Sequence, residues 1–122
     1  MKVISTPNAP AAIGPYSQGY EAGGFVYTSG QIGVNPADGV APEGIEAQAH
    51  QSCKNVGAVL AAAGVDFSKV FKTTCFLADM GDFAAFNAVY EQYFTSKPAR
   101  SCVAVKTLPK GLLCEIEAIA EK

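Results

Sequence analysis

The chain has 122 residues, 49% hydrophobic and 16% charged, a size and balance that fit one domain spanning 1–122 with its own apolar core. Its formal net charge is −2 and its nine Lys and Arg form no cluster, so there is no positive field to gather phosphates, and nucleic acid is a poor partner. Cys53, Cys75, Cys102 and Cys114 lie far apart without a C-x-x-C pair, and His50 is alone, which argues against a disulfide scaffold or a zinc cluster.

In chain order, residues 1–7 lack an apolar signal core, and the run from Val56 to Val65 is too short to cross a bilayer. A cytoplasmic protein is expected. Lys2 to Ser5 reads as a short edge strand. Thr6 to Pro15, with three prolines and a glycine, reads as an irregular arm that delivers Tyr16 and Ser17. Ser17–Glu21 and Phe25–Ser29 flank Ala22-Gly23-Gly24 as a hairpin, and the second strand runs out into Ser29-Gly30-Gln31. Asn35 to Gly39 is a second turn.

From Gly44 to Ala63 the apolar period becomes helical: Ile45, Ala49, Cys53, Val56, Leu60 and Ala63 share a stripe, with Glu46, His50, Gln51, Lys54 and Asn55 opposite. His50 follows Glu46 by one turn, so a surface pair between them is expected. Val70 to Ala78 reads as a central strand. Asp82 is the expected N-cap of a second helix to about Phe94, with the stripe Phe83, Phe86, Asn87, Tyr90, Tyr93 and Phe94. Asn87 is out of place among aromatics, because a buried carboxamide without partners costs about 1–3 kcal/mol. It is either bonded to neighbouring backbone or turned toward a pocket.

Pro98 to Ala120 reads as a β-hairpin with its turn at Thr107–Gly111. The apolar alternation predicts one dry face where Val103 meets Cys114, Val105 meets Leu112 and Ser101 meets Ile116. The other face then carries Cys102 opposite Glu115 and Arg100 opposite Glu117. Such a cluster is either a solvated ion pair contributing about 0–1 kcal/mol or part of a site. The elements together predict an α+β two-layer domain, a mostly antiparallel sheet with two helices on one face. Several strands are apolar on both parities, so the second sheet face is expected to be an oligomer interface.

The segments APAAIGPYSQG (Ala9–Gly19), TSGQI (Thr28–Ile32), the helix around Gln48–Val56, KTTCFLADMGDFAAFNAVYEQYF (Lys72–Phe94), PARSCVAV and CEIEAIA cover nearly the whole chain. Together they resemble the Rid family of enamine and imine deaminases, in its RidA branch. The resemblance implies a chorismate-mutase-like fold assembled as a homotrimer, with the sheets forming an inner barrel and the sites in clefts between subunits. It implies hydrolysis of 2-iminobutanoate and 2-iminopropanoate, products of Ser/Thr dehydratases, to 2-oxo acids and ammonia, with no metal or cofactor. It assigns Arg100, Glu115 and Cys102 to catalysis and Tyr16, Ser29, Gly30 and Asn87 to substrate binding.

The residue types suit that chemistry. Arg100 offers a planar fork for an α-carboxylate, and Glu115 can take a proton from water attacking C=N and later help ammonia leave. Cys102 reads as a lining residue rather than a covalent nucleophile, and Glu117 shares the parity of Glu115. Two other functions remain open at this level: an endoribonuclease-type translation inhibitor, and a metabolite-sensing or chaperone-like binding protein.

Overall fold

The computed structural model describes residues 1–122. Its strands are β1 (Lys2–Ile4), β2 (Gly19–Ala22), β3 (Phe25–Thr28), β4 (Gln31–Ile32), β5 (Val70–Leu77), β6 (Ala99–Ala104) and β7 (Cys114–Glu121). Helices α1 (Ile45–Ala62) and α2 (Phe83–Tyr93) precede and follow β5. The sheet order is β1-β2-β3-β7-β5-β6, with β4 also on β7. Every pairing is antiparallel except β5 with β6, and α2 is the crossover that a parallel pair requires. Both helices cover one face, as the α+β reading expects.

Local chemistry explains most of the elements. Gly23 and Gly24 take positive φ of 61° and 83°, the left-handed pair a tight β2–β3 hairpin needs. On α1 the apolar stripe Ala49, Cys53, Val56 and Leu60 is buried against the sheet, in a core of 20 residues that includes Leu77, Phe86, Phe94 and Ile116.

Four expectations need correction. Pro98–Ala120 is not a hairpin: β5 lies between β6 and β7, and Cys75 is in register with both Cys102 and Ile116. Alternation identifies a face but not a neighbour, and the connection through buried Leu108 and the 3-10 turn Pro109–Gly111 is long enough to cross a strand. Val103 and Cys114, expected together, therefore lie on opposite faces. Asp82 stands at the N-cap position of α2 as expected but makes no capping bond, because a 3-10 turn over Met80–Asp82 comes first and Asp79 Oδ1 accepts from Gly81 N at 2.7 Å instead. His50 meets the Tyr93 hydroxyl through Nδ1 at 2.8 Å between the helices rather than Glu46.

Asn55, expected on the wet side of α1, is fully buried. Its Nδ2 donates to Ile32 O at 3.0 Å and Val34 O at 2.8 Å, and its Oδ1 accepts from Gln51. Gln48 likewise accepts from Leu113 N at 2.8 Å and donates to Pro42 O at 3.1 Å. These carboxamides satisfy backbone groups at the end of β4 and in the loops around α1, which offsets the cost of burying them.

The sheet face away from the helices carries Val3, Phe25, Tyr27, Phe71 and Val103, each between 36% and 52% exposed, with Phe25 and Phe71 edge-to-face at 5.6 Å. Asn55→Leu keeps the branched outline of the side chain but removes the side-chain donor to Val34 O and one of the two donors to Ile32 O, which keeps Val34 N at 2.9 Å. It should cost about 2–4 kcal/mol in chemical denaturation with an unchanged transition slope. A loss below about 0.5 kcal/mol would mean those carbonyls find water.

Candidate active site

Arg100 and Cys102 sit on β6, the open edge of the sheet, in register with Thr73 and Cys75 of β5 and therefore on the helix-facing side. Arg100 Nη1 donates to Asn87 Oδ1 at 2.8 Å, and the guanidinium lies over Tyr90, 4.7 Å from the ring centroid, and over Phe83 at 5.5 Å. Tyr90 is itself held: its hydroxyl is 2.7 Å from Thr73 Oγ1, and its ring stacks on Phe94 at 4.4 Å. Burial pushes its phenol up to about 12, so Tyr90 offers Arg100 a neutral π face, worth about 0.5–2 kcal/mol. Asn87 thus faces a polar partner at the sheet edge. Beside it, burial raises the Cys102 thiol while Arg100 opposes the rise.

Glu115 stands on the other sheet face, in a row with Val103, Phe76 and Ile32. These apolar neighbours explain why its carboxyl is raised, first by burial and then by the charge of Glu117. Gly30 makes this packing possible, since a Cβ there would lie 2.5 Å from Glu115 Oε1 and 2.8 Å from its Cδ. The Pro-rich arm is fastened alongside. Gln18 donates to the carbonyls of Thr6, Ala9 and Pro10 and accepts from Thr6 N at 2.7 Å, while Ser29 Oγ donates to Ser17 O. The fastened arm presents Tyr16, half exposed, at an open cavity of about 200 Å³ bordered also by Ile13, Gly30, Ile32 and Lys110.

The seven expected residues therefore form two groups. Asn87, Arg100 and Cys102 gather on the helix side of β6, and Tyr16, Ser29, Gly30 and Glu115 gather around the end of β3 and β7. The expected juxtaposition of Cys102 with Glu115 and of Arg100 with Glu117 is overturned by the same register that removes the hairpin: β5 separates these strands and sets their parities apart. A family model described as endoribonuclease L-PSP matches residues 6–122. The chain belongs to that family.

The relatives bear out the Rid resemblance. The chain is 54% identical to the 2-iminobutanoate/2-iminopropanoate deaminase of Escherichia coli K12, across 98% of this chain and 96% of that one. Escherichia coli TdcF, solved with bound serine, superposes with a TM-score of 0.96 at 47% identity, covering 100% of this chain and 99% of that chain. YyfA of Yersinia pestis, described as a Rid family protein, gives 0.96 at 48% identity, covering 99% and 98%.

Three Rid-chain residues escaped sequence reasoning: Tyr90, whose ring lies under the guanidinium, Thr73, which holds the Tyr90 hydroxyl, and Gln18, which fastens the arm. Tyr90 lies one turn after Phe86 and was legible only as core, while a glutamine beside a proline-rich arm is a usable signal for a backbone staple. Because the folded carboxyl of Glu115 keeps its proton to higher pH than the unfolded chain does, the group subtracts stability as pH rises through the unfolded carboxyl range, fully so above its raised folded value. Glu117→Gln removes the second cause and leaves the first. In a carboxyl carbon NMR titration the Glu115 midpoint should fall but stay above the ordinary glutamate range, and an unmoved midpoint would show the two carboxyls to be uncoupled.

Proposed function

We propose that this chain hydrolyses 2-iminobutanoate and 2-iminopropanoate to 2-oxo acids and ammonia. The site would form between copies: Arg100, Asn87 and Cys102 from one subunit face Tyr16, Ser29, Gly30 and Glu115 from its neighbour. One observation carries this reading. A guanidinium oriented by Asn87 and Tyr90 stands at the open edge of β6, and the carboxylate it needs is on the opposite face of its own sheet. A head-to-tail ring of copies joins such halves, and a homotrimer with the apolar sheet faces turned inward would cover Val3, Phe25, Tyr27, Phe71 and Val103. Four free cysteines suit a reducing compartment, in keeping with a cytoplasmic enzyme.

The chemistry follows from the two halves. Asn87 takes one N–H of Arg100, and the remaining N–H groups can grip the α-carboxylate of the imino acid. Serine, the molecule bound in TdcF, carries the same carboxylate and nitrogen on one carbon. Glu115 accepts a proton from water as its oxygen attacks the C=N carbon. It returns that proton to the nitrogen and then takes the hydroxyl proton of the tetrahedral adduct as the C–N bond breaks, so that ammonia leaves and C=O remains. A carboxyl raised above its ordinary range serves both steps better than a strongly acidic one. Nucleic acid is disfavoured as substrate by the net charge of −2 and by a His50 ring already engaged by Tyr93.

The test couples purified protein to a threonine dehydratase and threonine, following 2-oxobutanoate against spontaneous hydrolysis and semicarbazide trapping of the imine. Arg100→Ala and Glu115→Gln should each be nearly inactive, the second with substrate binding less affected than turnover. Unfolded together in equal amounts and refolded, they should regain about one quarter of parental activity, because one interface in four then draws Arg100 and Glu115 from intact donors. A mixture no more active than its components would rule out a site shared between subunits.

A further inference from the structure

Cys75 and Cys102 are directly opposed on adjacent strands, in register, with both side chains on the helix-facing side of the sheet. Adjacent strands run about 4.8 Å apart, within the Cα separation of about 4.4–6.8 Å that a disulfide spans. Cys102 is half-buried at the sheet edge, whereas Cys53, Cys75 and Cys114 are buried. β6 has β5 as its one sheet neighbour, so it can shift against β5 without breaking a second ladder.

We propose that Cys102 and Cys75 form a peroxide-sensitive dithiol, closing to a cross-strand disulfide that disables the site until a thiol reductant reopens it. The effect on turnover rests on the deaminase reading, but the bridge itself does not. Cys102 sulfur attacks hydrogen peroxide, the O–O bond breaks, one water leaves and Cys102 becomes a sulfenic acid. Cys75 sulfur then attacks the sulfenyl sulfur, the S–O bond breaks, and a second water leaves with the remaining thiol proton. Two thiols lose two electrons and two protons, and the peroxide is reduced to two waters. Arg100 lies close enough to lower the charge cost at both sulfurs, while burial holds the thiols mainly protonated, so the reaction is slow near neutrality and quickens with rising pH. Closure turns the Cys102 side chain toward Cys75 and shifts β6 against β5 to suit the sulfur–sulfur bond, taking Arg100 with it, and a misplacement of about 1 Å at such a group costs on the order of 10²-fold.

The test oxidises the fully reduced protein with hydrogen peroxide and counts thiols after denaturation. Four should become two, the mass should fall by about 2 Da, and tryptic peptides Ser101–Lys106 and Thr73–Arg100 should be joined. Imine deamination should fall at least about tenfold in step with the bridge and return on reduction. In Cys75→Val any loss should be irreversible by thiols, with Cys102 carried to sulfinic acid. Cys102 over-oxidised in the parent while Cys75 stays free, or a bridge from Cys102 to Cys53, Cys114 or another chain, would overturn the proposal. These readings come from the parent protein even if the valine variant fails to fold. A bridged chain with no deaminase activity before oxidation would defeat the functional reading and leave the dithiol standing.

Discussion

The placement of β5 governs everything else in this molecule. It is hydrogen-bonded along both edges, parallel to β6 and antiparallel to β7, so its alternation assigns faces to both neighbours at once. Thr73, Cys75 and Leu77 face the helices, and Arg100, Cys102 and Ala104 must follow them. Thr74 and Phe76 face away, and Glu117 and Glu115 must follow those. A strand has a side-chain period of two and no intermediate setting, so no small adjustment within one chain could bring Arg100 and Glu115 to the same face. The separation of the two charged groups is a topological result, fixed before any side chain chooses a rotamer.

Each half is then prepared by its own surroundings. The guanidinium is ordered by a neutral carboxamide and a neutral phenol, both of which restrict it without cancelling its charge. A carboxylate in Asn87's place would pair with Arg100 and compete with substrate. Glu115 experiences the reverse: apolar neighbours and a like charge two residues along hold its proton more tightly, and nothing positive from its own chain relieves it. In the proposed reaction the first would take the carboxylate of the imino acid and the second a proton from the attacking water.

Legibility in the sequence followed the range of the physics. Patterns of period two and 3.6 located the β2–β3 hairpin, both helices and the central strand, because burial of one face depends on local spacing alone. Asn87 announced itself as a polar group on an aromatic stripe. Strand order was not legible, since the alternation of Val103 and Val105 and of Cys114 and Ile116 suits any neighbour, and the partner was chosen by the α2 crossover. Asn55 and Gln48 were misread or passed over for a related reason: a carboxamide looks solvated until the loop carbonyls that need it are known. The residues named by family motif divide between two faces of the sheet, because a motif carries no statement of where the fold places each member.

The exposed apolar sheet face makes the two halves interdependent energetically. Covering Phe25, Tyr27, Phe71 and Val103 with a neighbouring copy removes water from the row that holds Glu115, which by itself would push its carboxyl further up and oppose the ionised form the reaction uses. The same docking would bring a guanidinium from the neighbour toward that carboxyl, and in a drier setting their attraction acts more strongly than it could across water. The desolvation penalty and the compensating charge would therefore arrive in a single step, assembly. A lone chain has a half-buried acid without its counter-charge and a positioned cation without its acid, so in the proposed arrangement oligomerisation is the event that poises the site for catalysis.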